Sequence, residues 1–120
     1  MALIMDELEA IYQRGYQLRC EGRYAEAKFE LERVLSKNPS HINSRHQLGL
    51  IQGFQGDFDG SLLTLANLCS VAPRNLDVLY DLAMTQMMLG MNDEACANFR
   101  KIVSIDPAND RASKQLAFCP

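Results

Sequence analysis

Gly22, Gly56 and Gly90 lie 34 residues apart, and so do Pro39, Pro73 and Pro107. The segments they bracket, GRYAEAKFELERVLSKNP, GDFDGSLLTLANLCSVAP and GMNDEACANFRKIVSIDP, share one register. A period of this length marks a repeat protein, in which each unit buries its apolar face only against its neighbours.

Within each bracket, apolar and small residues recur at helical spacing. The stripes are Tyr24, Ala27, Leu31, Val34 and Leu35; Phe58, Ser61, Leu65, Leu68 and Cys69; and Asn92, Ala95, Phe99, Ile102 and Val103. Each proline falls just past the last apolar residue, where it ends a helix without breaking its interior. Asn38 and Asp106, before two of the prolines, are turn formers. Each glycine follows a preceding helix at the place where left-handed backbone is needed. Every repeat therefore reads as two amphipathic helices, parted by a glycine turn and closed by a proline. The first helix is expected to start near Asp6, with Glu7 and Glu9 at its positive end. After Pro107, ANDRASKQLAFCP begins a further helix, with Ala112, Leu116 and Ala117 inward and Arg111, Lys114 and Gln115 outward.

The chain of 120 residues is expected to form one domain, spanning 1–120. A net charge of −3 argues against nucleic acid as a partner, because phosphate binding needs a basic surface. Arg14, Arg19, Arg23, Lys28, Arg33 and Lys37 are interleaved with Glu21, Glu26, Glu30 and Glu32, which reads as salt-bridged surface; Lys28, Glu30 and Arg33 are placed on one exposed helix. No apolar run approaches the roughly 20 residues of a membrane span. The acidic start, MALIMDELEA, does not read as a signal peptide, so a cytoplasmic location is expected. Cys20, Cys69, Cys96 and Cys119 show no paired spacing, and with only His41 and His46 beside them no metal site or cofactor is expected. Cys69 and Cys96 read as small packing residues in a reducing compartment, and Cys119 as an exposed thiol able to link two chains. No catalytic set has supporting context: the glycines serve turns, and nothing orients the imidazole of a Cys20–His46 pair. The expectation is a protein that is not an enzyme.

The pattern resembles three tandem tetratricopeptide repeats, at 8–41, 42–75 and 76–109, with 110–120 as a partial capping helix. The first repeat carries the resemblance on Ile11, Gly15, Leu18, Gly22, Tyr24, Ala27, Leu31 and Pro39. The second carries it on Leu48, Gly49, Gly56, Phe58, Leu65 and Pro73, and the third on Leu79, Leu82, Ala83, Gly90, Ala95, Phe99 and Pro107. Small residues at 15, 49 and 83, and at 27, 61 and 95, would let helices approach closely. Arg14, Arg45, Gln52, Gln86 and Asn92 stand where larger apolar residues are usual, which predicts loosened packing. The resemblance implies an all-α fold, a right-handed superhelix of three helix-turn-helix hairpins with a short C-terminal cap. That cap is read either as minimal or as the beginning of more chain.

In this family the first helix of each repeat lines a concave groove that binds partners. The corresponding stripes here are Tyr12, Tyr16 and Cys20; His46, Leu50 and Phe54; and Tyr80, Met84 and Met88. An apolar and aromatic surface of this kind marks a site for a peptide or helix with spaced apolar anchors. The expected partner-binding residues are Tyr12, Tyr16, His46, Leu50, Phe54, Tyr80, Met84 and Met88. A narrower alternative buries Tyr12, Leu50 and Met84 and leaves Tyr16, Phe54 and Met88 to the groove. One sub-class grips the terminal carboxylate of chaperone tails with basic residues. The matching positions here are Tyr12, Tyr16, Gln47, Asp77 and Asp81, and the two aspartates would repel a carboxylate; they read as solvated helix surface, with a basic group of the partner beside Tyr80 as the alternative. The leading reading is an adaptor, scaffold or chaperone-like module, with bacterial secretion chaperones as one architectural parallel. Two other readings stand beside it: self-assembly into a homodimer or larger scaffold, and the targeting arm of a larger enzyme.

Overall fold

A computed structural model describes residues 5–120, and helices are the only regular elements among them. They are α1 (Met5–Cys20), α2 (Tyr24–Lys37), α3 (Ile42–Phe54), α4 (Phe58–Val71), α5 (Leu76–Met88), α6 (Asn92–Ile105) and α7 (Asp110–Leu116). The glycine turns close as the register predicts. Gly22, Gly56 and Gly90 have φ of 77°, 91° and 80°, a region costly for any residue with a Cβ. At the end of α1 the N–H of Gly22 donates to the carbonyl of Arg19, and that of Arg23 to Leu18. The same pair of bonds ends α5, from Gly90 to Met87 and from Met91 to Gln86. Each pair satisfies carbonyls that the helix itself leaves open.

Helix starts obey the same period. His41, Asn75 and Asn109, spaced 34 apart, cap α3, α5 and α7. The Nδ1 of His41 accepts from the Ser44 N–H at 3.1 Å, and the Oδ1 atoms of Asn75 and Asn109 accept from Val78 at 3.3 Å and Ala112 at 3.0 Å. Among the caps of the second helices, Asp57 accepts from the Gly60 N–H at 2.9 Å, whereas Arg23 and Met91 make no side-chain cap.

Contacts divide the chain into two compact units that meet in sequence between Gly56 and Asp57. In the first, α1 and α2 form a hairpin and α2 packs on α3. Its core is Tyr12, Leu18, Ala27, Leu31, Val34 and Ile51, flanked by Ile11, Tyr24 and Leu48. Gly15 makes the hairpin tight: a Cβ there would lie 2.9 Å from Cγ and Cδ2 of Leu31. In the second unit α5 pairs with both α4 and α6, and α7 packs on α6. Val78, Leu82, Ala83, Ala95, Phe99, Ile102 and Ala112 are buried there.

Several expectations change. Three of the five polar positions expected to loosen the packing make polar contacts. Buried Gln86 accepts from Asn98 Nδ2 at 2.8 Å, Arg45 donates Nε to the Pro39 carbonyl at 2.7 Å, and Arg14 pairs with Glu30 at 3.9 Å. Glu30 is not part of an exposed stripe: it is 7% exposed and takes Arg33 Nη1 at 2.9 Å. Cys96 and Cys119 form a disulfide, with Cα atoms 5.9 Å apart, which leaves Cys20 and Cys69 free. The reading of Cys96 as a reduced packing thiol, and of Cys119 as a link between chains, therefore falls, and with it the cysteine argument for a reducing compartment. Among the described residues no helix is long and apolar enough to cross a membrane.

Candidate functional site

In the first unit, α1 and α3 bring an aromatic and cationic cluster together. Tyr16 and Phe54 sit near the C-terminal ends of their helices, 38% and 55% exposed. Between the two rings is Arg19, its guanidinium carbon 5.1 Å from the Tyr16 centroid and 5.9 Å from that of Phe54. Arg19 is fixed by donating Nε to Oε1 of buried Gln47 at 2.7 Å. Tyr24 stacks on Phe54 at 5.6 Å, an interplanar angle of 14°, and so stiffens that ring. The result is a positive charge laid across aromatic faces, with apolar surface on both sides.

The N-terminal members of the same stripes are packing residues. Tyr12 is 7% exposed, against the rings of Tyr16 at 6.3 Å and His41 at 5.3 Å. Burial raises its phenol pKa above the ordinary value, with Glu9 and Tyr16 adding to the rise; Arg19 and a hydrogen bond with Gln47 oppose it. His46 is buried, Leu50 is half-buried and Cys20 is exposed.

In the second unit, α5 presents Met88 at 67% exposure, with Met84 half-buried. Tyr80 is half-buried and meets Phe99 edge-on at 5.7 Å. Its free face is covered from within the chain: the guanidinium carbon of Arg111 on α7 lies 3.9 Å from the ring centroid. Arg111 Nη1 also lies 3.8 Å from Oδ1 of Asp77. Arg111, expected to point outward, is thus engaged on α5, and Asp77, expected as solvated surface, remains exposed with the chain's own Arg111 beside it. Ala117, expected inward, is exposed. Burial raises the Cys69 thiol pKa above its ordinary value, against the pull of Lys101.

Two features were missed in the sequence. Arg19 was grouped with surface ion pairs, although its place three residues after Tyr16 puts both on one helix face. Phe29, 63% exposed, lies outside the α2 stripe and borders an open cleft of about 370 Å³ with Arg14, Leu18, Ala25, Glu26 and Glu30. An aromatic residue between charged neighbours was the available signal.

Against known proteins, a family model of the tetratricopeptide repeat matches residues 77–109. No curated protein matches by sequence. Among solved structures, the first such repeat domain of Spaghetti (RPAP3), bound to the HSP90 peptide SRMEEVD, is similar with a TM-score of 0.82 at 12% identity; 98% of this chain and 94% of that one are covered. PcrH, in complex with the chaperone-binding region of PopB, gives 0.79 at 18% identity over 97% and 96%. MamA from Desulfovibrio magneticus RS-1 gives 0.76 at 22% identity over 92% of this chain and 63% of its own. The chain thus spans less than two thirds of the MamA chain. At these identities the likeness is one of fold.

Proposed function

We propose, from the family match at residues 77–109 and the shared fold, that this tetratricopeptide-repeat chain is a non-catalytic module that binds a peptide or helix of a protein partner. The observation that carries the reading is the exposed Tyr16–Arg19–Phe54 cluster. Rigid rings offer apolar area at little entropic cost, and a guanidinium between them selects an anchor flanked by a carboxylate. The other expected residues divide in this reading. Leu50 adds apolar surface in the first unit, Tyr12 packs against Tyr16 there, and His46 is buried. Met84 and Met88 offer adaptable apolar surface of their own in the second unit. Tyr80 belongs to a separate surface, described below. Two proteins of similar fold hold a partner's peptide or segment, which favours the same use here.

The test is selection from a random peptide display library on the immobilised protein, followed by calorimetry on the selected peptides. Tyr16→Glu with Phe54→Glu is expected to weaken them about tenfold or more, a loss typical of central aromatic anchors, with the helical circular dichroism unchanged. Full affinity in that variant would refute the site.

A further inference from the structure

The second unit contains a ligand of its own making. α7 is a seven-residue helix, far shorter than the roughly 12–15 residues that hold a helix without tertiary support. It buries Ala112 fully and Leu116 in part. It places Arg111 on the ring of Tyr80 and beside Asp77. The ion pair is loose and its side chains are 60% and 82% exposed, so it holds little by itself. What keeps the segment seated is tethering. Asn109 caps its start, and the Cys96–Cys119 bond ties its far end to α6 across a sequence separation of 23. A tether raises the effective concentration of a weak contact until free competitors cannot displace it.

We propose that residues 110–120 are a disulfide-latched internal ligand. When the bond is reduced, they release Asp77 and Tyr80 to a partner helix of the same chemistry, an arginine followed by a small residue and, about one turn further, an aliphatic one. Charge complementarity argues for the occupant: α5 offers a carboxylate and an aromatic face, the pair that a planar guanidinium satisfies and a compact ammonium satisfies less well. The reductant is a dithiol. Its thiolate attacks Sγ of Cys119, the less buried residue of the pair, and the Cys96–Cys119 bond breaks. The second thiolate of the reductant resolves the mixed disulfide, so two electrons and two protons end on Cys96 and Cys119 as thiols, and the reductant leaves as a disulfide. This surface lies in a different unit from Tyr16 and Phe54, and its test does not pass through those residues.

Hydrogen exchange of the intact protein, oxidised and after dithiothreitol, reads the latch. Amides of 110–117 are expected to exchange at least about tenfold faster on reduction, while those of α5 and α6 hold. Unchanged exchange in 110–117 would overturn the latch, and so would simultaneous loss of α5 and α6 protection, since the bond would then be a staple of the whole unit. Cys119→Ser, without reductant, is expected to reproduce the reduced pattern. The blocked peptide NDRASKQLAF is then titrated while the Tyr80 ring resonances are followed. They are expected to move saturably in reduced protein, not in oxidised protein, and not with peptides carrying alanine or lysine in place of the arginine. Resonances that stay still in reduced protein, move equally in oxidised protein, or respond equally to the lysine peptide would refute the proposal.

Discussion

Gly15 and Tyr12 show how single positions set this fold's tolerances. Replacing Gly15 by alanine gains about 1 kcal/mol of helix propensity. It also drives a methyl group onto the fully buried Leu31 side chain, whose Cγ and Cδ2 would have to shift, and overpacking of this kind costs about 1–3 kcal/mol. Gly15→Ala is therefore expected to be destabilising by roughly 1 kcal/mol in urea denaturation; a stabilised variant would show slack between α1 and α2. Tyr12 predicts a pH dependence. Its folded pKa is raised, so above the ordinary value of 10.0 the unfolded chain has released a proton that the folded one still holds. Stability should fall as pH rises through and beyond that value, with no contribution at neutrality. Tyr12→Phe is expected to flatten the decline in denaturation midpoints between about pH 9 and 11. At this scale the sequence was half legible. Helical spacing identified which residues share a face, and so placed Tyr16, Phe54 and Met88. It did not say what packs against that face: His41 and Tyr16 against Tyr12, Phe99 and Arg111 against Tyr80.

At the scale of elements, helix ends were the most readable part, because a proline or a left-handed glycine acts through its own backbone and needs no neighbour. The caps show how far that goes. Met91 begins α6 with φ −85° and ψ 63°, close to the −87° and 73° of Asp57, yet supplies no acceptor. Met91→Ser is expected to stabilise the protein by roughly 0.5–1 kcal/mol, read as a rise in thermal midpoint. His41→Ala should cost about 1 kcal/mol, with His41→Asn recovering it, since asparagine fills the same place at α5 and α7. The α7 helix was foreseen from its apolar spacing. The direction of Arg111 was not, because periodicity sorts residues by polarity and a guanidinium lying on a ring is polar and packed at once.

For the molecule as a whole, composition spoke to charge and was silent on cysteine pairing. Cys96 and Cys119 are 23 residues apart, and only the folding of α7 against α6 brings them within bonding reach. Alkylation of the oxidised native protein should therefore label only the two free thiols, exposed Cys20 fast and half-buried Cys69 slowly, with the other two reacting after reduction. Four labels without reductant would show the bond to be absent. The net charge of −3 predicts no retardation of a DNA duplex at physiological salt, checked by fluorescence anisotropy. The period itself reaches further. Start marks at His41, Asn75 and Asn109 and stop marks at Gly22, Gly56 and Gly90 recur at one spacing of 34. Copying 34 residues onward from Asn75 writes a new start and a new stop in correct order, whereas a copy whose length is not a multiple of 34 breaks their spacing. A gene punctuated in this way can gain or lose whole hairpins in one recombination event, and its lineage should vary in length by multiples of that unit.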